Sequence, residues 1–481
     1  MLSARSRNLV KTLPTELQVI CRRHSWSNAL HHLNPLTKYD RPSSVRRNAG
    51  ESSFLDPFSL VANELGSLRA NVRTLLGSGH PALDTIAKYY FQTEGKHFRP
   101  LIILLIAQAT NGLSPHFFSL SQRQATRGET SIDAPLSEHS VLTDVNPSDP
   151  FWRKNPFEHA KDAVQTLASA ALKPAVPPTF TPGVLTSTIL PTQLRLAEII
   201  EMIHVASLLH DDVIDQSDTR RDLPSSPSLF GNKLSILAGD FMLARASMAL
   251  SRLGSNEVVE LIASCIANLV EGEVMQMKGH TAKSHKEKNW VDKFSAMIPI
   301  RSTAVGLTAD TFNDYMEKTY LKTASLIAKS ARSAVVLGGC GLRQGWEAGE
   351  SVKDAAFSFG RNLGIAFQLI DDLLDYTASA ADLGKPSDGA DLKLGLATAP
   401  VLFAWEEYAE LGPMVERKFS KPGDVEKARE LVLASSGPKR TLELAEDHAA
   451  LARGCILDTL PQSTARDALV ELTWKVLKRS R

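Results

Sequence analysis

What the chain lacks narrows its function before any motif is read. No run of about 18 uninterrupted apolar residues is present, the length that a bilayer-crossing helix needs. Short apolar runs such as Val205–Leu209 fall far below it. Cysteine is scarce: Cys21, Cys265, Cys340 and Cys455 are too scattered for a metal-ligand spacing or a disulfide framework, so a reducing compartment is the default. Excess charge of one sign is missing too. The formal net charge is +1, which removes any global electrostatic case for nucleic acid as a partner. Convincing apolar–polar alternation is absent, so no strand is expected. What remains is an ordinary globular balance, 43% hydrophobic and 22% charged, in 481 residues, enough for a large core and by length for more than one domain.

The first fifty or so residues differ from the rest. From Met1 to Leu33 the chain is rich in Arg, Ser and Leu, with Glu16 its one acid. An Arg-rich, acid-poor amphipathic start reads as a transit peptide over residues 1–50, and it lacks the long apolar segment of a secretory signal. The remainder, 51–481, reads as one helical domain. Leu60, Leu65, Leu68, Val72, Leu75 and Leu76 recur at helical spacing, Ala82–Phe91 makes a short helix, and Leu101–Thr110 is an apolar run suited to a buried one. From Gly112 to about Pro191 the pattern collapses into Ser, Thr, Pro, Gln and Asp, with only Pro156–Leu172 able to hold a helix. This reads as a disordered insertion at about 112–190. Gly279–Asp314 reads as a second variable loop.

Elsewhere the signal is helix. Leu194–Gln216, Ser235–Leu253, Glu257–Lys278, Asp314–Leu337, Ala355–Tyr376, Ala397–Leu411, Asp424–Leu433, Pro438–Leu460 and Thr464–Lys478 all carry it. The expected fold class is all-α, a large bundle with a central cavity between helices.

One aspartate pattern occurs twice. Asp211, Asp212 and Asp215 stand in SLLHDDVIDQSDTRRD; Asp371, Asp372 and Asp375 stand in FQLIDDLLDYT. Each Asp-Asp-x-x-Asp set ends an apolar helical run, and spacings of three and four residues aim its carboxylates in one direction. His204 shares the face of Asp211 and Asp215. A solvated acidic patch would not follow Ala206-Ser207-Leu208-Leu209, which offers solvent no polar face. Carboxylates at a helix C-terminus also oppose the macrodipole, a conflict that a cation removes. Hard divalent ions prefer oxygen ligands, and Mg²⁺ is usually shared with a substrate phosphate. Two such sets facing each other would hold a metal-bound diphosphate.

Basic residues gather around these sets. Arg220 and Arg221 follow where the first helix should end, and arginine forks bind phosphate in bidentate fashion, although the pair could simply balance Asp218 and Asp222. Gln368 precedes Asp371 by three residues, and Gly384-Lys385-Pro386 and Asp391-Leu392-Lys393 lie in a following loop. In Glu94-Gly95-Lys96-His97-Phe98-Arg99-Pro100, Lys96 and Arg99 would face one way on a helical turn; alone, such a cluster is more often surface than site.

Together these motifs, with Lys322-Thr323, resemble the trans-type polyprenyl diphosphate synthases, and most of all the mitochondrial ones that make the ubiquinone side chain in fungi. The resemblance runs from about Pro57 to the C-terminus, interrupted by the insertion. It implies the isoprenoid synthase fold and Mg²⁺ bridging both aspartate sets to an allylic diphosphate, through Asp211, Asp212, Asp215, Asp371, Asp372 and Asp375. It implies isopentenyl diphosphate held by Lys96, Arg99, His204 and Arg221. The allylic diphosphate would meet Arg220, Lys322, Thr323, Gln368, Lys385 and Lys393. Catalysis would fall to Asp211, Asp212, Asp215, Asp371, Asp372 and Lys322. One departure is visible: where the family often has Gly-Gly-Lys-Arg, Glu94 replaces the first Gly and His97 the Arg. His210 is read as a structural neighbour of the site.

The residue types suit the chemistry. Cations stabilise a departing pyrophosphate, apolar walls shield the allylic carbocation, and isopentenyl attack is followed by loss of a proton for which no protein base is evident. In similar enzymes that make short products, aromatic side chains close the cavity here, whereas Ala206 and Ser207 are small and Ile203, a turn deeper, is larger. The resemblance thus implies a product of six isoprene units or more, primed by farnesyl or geranylgeranyl diphosphate. A homodimer or heteromer in the mitochondrial matrix is expected, and a long polyprenyl product suits peripheral association with the inner membrane. Two alternatives fit less well. A class I terpene cyclase usually replaces the second aspartate set and needs no isopentenyl site. A non-catalytic subunit of a heteromeric synthase typically loses acids that this chain keeps.

Overall fold

A computed structural model describes residues 56–78, 80–91, 97–126, 189–220, 223–281, 309–377 and 389–479. The expected transit peptide, the helix over Pro156–Leu172 and the Gly384-Lys385-Pro386 loop lie outside these residues. The rest is helical and divides into two compact units, Val61–Asn256 with Leu337–Gly339, and Glu257–Val336 with Cys340 onward and residues 56–60.

The first unit holds α1 (Ala62–Leu75), α2 (Pro81–Tyr89), α3 (Phe98–Thr110), α4 (Phe117–Thr126), α5 (Pro191–Ile214), a short hairpin of β1 (Thr219–Arg220) and β2 (Leu223–Pro224), α6 (Ser226–Phe230) and α7 (Asn232–Arg252). Helix α3 is apolar on every side, and Pro100 through Ala107 are all buried, as such a helix must be. Pro100 sits in its first turn, where the missing N–H has no intrahelical partner to lose. Helix α5 opens on Pro191, and Gln193 reaches back to accept the Leu190 N–H at 2.9 Å. It packs mainly on α7 and α3 and is buried along most of its length. Several of its buried polar groups are paired: Gln193 and Asn111 exchange two 2.8 Å hydrogen bonds, and Glu198 takes Arg195 at 2.9 Å and Asn71 at 2.8 Å.

Helix α7 is long and apolar enough to meet the length and composition of a membrane span. Lys233, Asp240 and Arg245 interrupt it, however, and Ala238, Gly239, Met242, Ala246 and Ala249 are buried in the unit's core. At Gly239 a Cβ would lie 2.2 Å from His210 Nε2, so the glycine makes room for the imidazole. That nitrogen lies 3.2 Å from the Ile236 carbonyl and 3.4 Å from Asp240 Oδ1, a structural placement.

The second unit holds α8 (Asn256–Thr281), α9 (Ala309–Thr319), a π-helical turn (Tyr320–Ala324), α10 (Ser325–Leu337), α11 (Glu350–Thr377), α12 (Ala390–Lys393), α13 (Ala399–Glu407), α14 (Leu411–Glu416), α15 (Asp424–Ala434), α16 (Gly437–Thr459) and α17 (Thr464–Leu477). Helix α11 lies along α16, and both touch α13 and α17. Its Gly360 and Gly364 face the helix that contains the π turn. A Cβ on Gly360 would come within 2.8 Å of Ala328 Cα, and one on Gly364 within 2.7 Å of Ala324 Cα. Only residues without a side chain let two backbones approach this closely.

Three expectations need correction. The chain does make a β-hairpin, pairing Thr219 with Pro224 and Arg220 with Leu223, too short to leave an alternating pattern. Helix α4 forms inside the stretch read as patternless. Its anchor is tertiary: the Ser114 hydroxyl donates to the Gly339 carbonyl at 2.6 Å, and Leu120 reaches the same glycine. The single helix expected over Asp314–Leu337 is interrupted by the π turn.

Candidate active site

The first aspartate set occupies the last turn of α5. Gln216 has φ 51°, the left-handed conformation that ends a helix, and the Ser217 N–H bonds to the Asp212 carbonyl at 3.0 Å, a Schellman closure. The chain then folds back through the hairpin and returns Arg220 to the helix end. Its guanidinium donates to Asp212 from Nε at 2.9 Å to both oxygens and from Nη2 at 2.6 Å to Oδ1. Asp212 is fully buried and also receives the Tyr90 hydroxyl on Oδ2. Burial and then the Asp212 carboxylate push the Tyr90 phenol well above its ordinary range, so it stays a donor. Burial works against the Arg220 charge, but the Asp212 bonds outweigh it and hold the guanidinium above its usual value. Asp211 and Asp215 flank this pair and are half-buried.

The second set ends α11, on a stripe that begins with the glycines: Gly360, Gly364, Gln368 and Asp372 follow at intervals of four. The close approach at the glycines brings Gln368 and Asp372 against the partner helix. Thr323 donates to Gln368 Oε1 at 2.8 Å, Gln368 Nε2 donates to Asp372 Oδ1 at 2.8 Å, and Tyr315 donates to Asp372 Oδ2 at 2.6 Å. Asp372 is 4% exposed; burial pushes its pKa up to about 6 against the pull of those two hydrogen bonds. Asp371 is exposed and lies 3.2 Å from Arg479. Asp375 accepts the N–H groups of Ala390 and Asp391 at 3.0 and 3.1 Å, capping α12. Burial, then Asp372 and Asp375, raise the Asp391 carboxyl well above its usual range.

Lys322 sits inside the π turn and reaches α8, with Nζ 2.5 Å from Glu273 Oε2 and 3.0 Å from Gln276 Oε1. Gly272 clears its path, since a Cβ there would meet Lys322 Cγ at 2.6 Å. Lys318, a turn earlier, stands over the Tyr315 ring at 5.6 Å. Burial lowers its pKa while Asp372 and Asp391 oppose that loss.

Lys96, Arg221 and Lys385 lie outside the described residues. Arg99 stands in the first turn of α3. His97, just before, is left-handed at φ 41° with Nδ1 3.3 Å from Glu201 Oε1. The helix begins at Phe98, and the expectation that Lys96 shares a helical turn with Arg99 falls outside the described residues. His204 is half-buried on α5 and its carbonyl accepts the Ser207 hydroxyl at 2.8 Å. Ile203 and Ala206 are buried. Lys393 is exposed, in a shallow depression with Val425, Glu426, Arg429, Glu430 and Leu433. Sequence reading missed Tyr90, Tyr315 and Lys318. Tyr315, Lys318 and Lys322 follow a helical i, i+3, i+7 spacing that could have drawn attention; nothing in the sequence distinguishes Tyr90.

A predominantly helical fold whose helices end in two Asp-Asp-x-x-Asp sets, each with its middle carboxylate braced, places the protein in the class of α-helical isoprenoid synthases. A family model described as polyprenyl synthetase matches residues 164–432. The chain is 49% identical to the probable hexaprenyl pyrophosphate synthase, mitochondrial, of Neurospora crassa, over 89% of this chain and 82% of that protein. It is 42% identical to the mitochondrial hexaprenyl pyrophosphate synthase of Saccharomyces cerevisiae, over 94% and 99%. Its fold is similar to that of a polyprenyl synthase from Caulobacter crescentus complexed with calcium and isoprenyl diphosphate, with a TM-score of 0.60, 24% identity, and coverage of 90% and 100%. The chain belongs to the polyprenyl synthetase family and is a prenyltransferase.

Proposed function

We propose that the enzyme adds isopentenyl diphosphate units head-to-tail to a farnesyl or geranylgeranyl diphosphate primer, making hexaprenyl or a longer all-trans diphosphate for ubiquinone. The observation that carries this reading is the pairing of two complete aspartate sets with small residues at Ala206 and Ser207, one and a half turns before Asp211 on α5. The hexaprenyl synthases to which the chain is similar support the product length.

Mg²⁺ is the cation we assign to the two sets. The donor set fits it: all six groups are carboxylates, and Asp211, Asp215 and Asp371 are at least partly exposed at helix ends where the dipole favours positive charge. Among the described residues no three His, Cys, Asp or Glu side chains are arranged to hold a metal by themselves. Mg²⁺ commonly binds one or two carboxylates and takes its other ligands from water and substrate phosphate. When bound, it supplies Lewis-acid stabilisation of the departing pyrophosphate. Lys322, Thr323, Gln368, Arg220, Lys385 and Lys393 orient and neutralise the allylic diphosphate. Lys96, Arg99, His204 and Arg221 hold isopentenyl diphosphate. Ile203 and Ala206 set the path of the growing tail.

Residues 1–50 are proposed as a mitochondrial transit peptide, 51–481 as the synthase domain and 112–190 as an insertion, with the enzyme in the matrix or on the inner membrane's matrix face. The mitochondrial names of both fungal relatives support the compartment. The exposed apolar residues Leu234, Ile236 and Leu237 on α7 support association as a homodimer or heteromer. The test is product analysis. Enzyme lacking 1–50 is given Mg²⁺, labelled isopentenyl diphosphate and farnesyl diphosphate, and dephosphorylated products are separated by reversed-phase chromatography. A ladder ending at one long polyprenol is expected; arrest at a C20 or shorter product would overturn the length, and no incorporation by folded protein would favour a partner-dependent subunit.

A further inference from the structure

We propose that Tyr90 and Tyr315 are positioning residues, each pinning the middle aspartate of one set so that its neighbours are aimed at the cation. This rests on the metal reading of the aspartate sets given above. The two arrangements share no residue, yet they are built alike. In each, the middle aspartate is buried, Asp212 fully and Asp372 at 4% exposure. In each, a phenol from a separate helix donates to Oδ2, across 122 residues for Tyr90 and 57 for Tyr315. In each, the other oxygen is also held, by Arg220 on Asp212 and by Gln368 on Asp372.

A helix end that carries its ligands on the last turn tends to fray, and its carboxylates then lose their common direction. The phenol prevents this because it ties that turn to a second element. Tyr90 ties the end of α5 to α2, and its oxygen also accepts the Ser226 N–H at 2.9 Å, which adds the start of α6. Tyr315 ties the end of α11 to α9. Each tyrosine is itself buried, and each phenol meets a carboxylate oxygen, which accepts, so the bond has one fixed direction. Outer partners of this kind orient metal ligands and tune their affinity.

Tyr90→Phe and Tyr315→Phe, which keep the ring and remove the hydroxyl, test this in the full chain. Melting temperature is recorded in chelator, then across a Mg²⁺ titration with inorganic pyrophosphate, and kcat and KM are measured separately. Each variant is expected to fold, to need about 10-fold more Mg²⁺ for half of the pyrophosphate-dependent rise in melting temperature, and to lose kcat more than KM. Variants that melt lower in chelator yet titrate like the wild type overturn the proposal, since that is what a purely structural tyrosine gives. The two sites are independent, so a variant that does not fold leaves the other to decide. A wild-type enzyme with no rise under Mg²⁺ and pyrophosphate sinks the metal reading itself, and this inference with it.

Discussion

Asp372 is a carboxylate whose surroundings resist its charge. Its pKa is pushed up to about 6, so the folded chain holds the proton more tightly than the unfolded chain, whose carboxylate titrates near 4. Between those values stability falls as pH rises, and above about 6 the whole penalty, on the order of 3 kcal/mol, is in force. Asp372→Asn removes the charge and keeps the shape. Its amide nitrogen cannot accept one of the two hydrogen bonds that Tyr315 and Gln368 donate, a cost that does not vary with pH. In chelator, the melting temperature of the variant relative to the wild type should therefore rise between about pH 4 and 6 and level off above. Its turnover should fall about 100-fold or more. A difference that does not change with pH would contradict this account. At this scale the sequence was partly legible. Six aspartates declare themselves by spacing, whereas Tyr90 and Tyr315 do not, because a tyrosine in an apolar stripe looks the same whether its hydroxyl meets a carboxylate or solvent.

Among the elements, the contact of α11 with the π-turn helix is set by two glycines. Gly364→Ala would place a Cβ 2.7 Å from Ala324 Cα, backbone against side chain, with no flexible tip to give way. We expect a loss of about 1–3 kcal/mol in urea denaturation. We also expect a fall in kcat, because Gln368 and Asp372 ride on the same stripe. An unchanged midpoint with unchanged kcat would show that the helices separate freely. Helix existence was readable from periodicity for α5, α7, α8, α11, α16 and α17, where long apolar faces repeat at 3.6 residues. The π turn was not readable, since Tyr320–Ala324 has ordinary helix-forming residues and its extra width comes from packing. Helix α4 was missed for the same kind of reason: its place depends on Ser114 meeting Gly339, 225 residues away.

For the whole molecule, product length is proposed to follow what lines α5, and assembly what α7 leaves uncovered. Ala206→Phe should shift the chromatographic ladder to shorter polyprenols at little cost in incorporation; an unchanged ladder would move the length control to other helices. Leu237→Asp should halve the mass measured by sedimentation, unless the companion of this face is a different protein. The all-α class and the two aspartate sets at helix ends were visible in the sequence, but not the exposure of Leu234 at 37%, Ile236 at 42% and Leu237 at 54%, because an apolar stripe reads as core until a structure shows one side uncovered. That uncovered side has a consequence in mass action. If a second copy covers it, folding and assembly share one free energy, and the melting temperature climbs with protein concentration. An assay at nanomolar enzyme would then sample a looser population than one at micromolar enzyme, and specific activity would fall on dilution and recover on concentration.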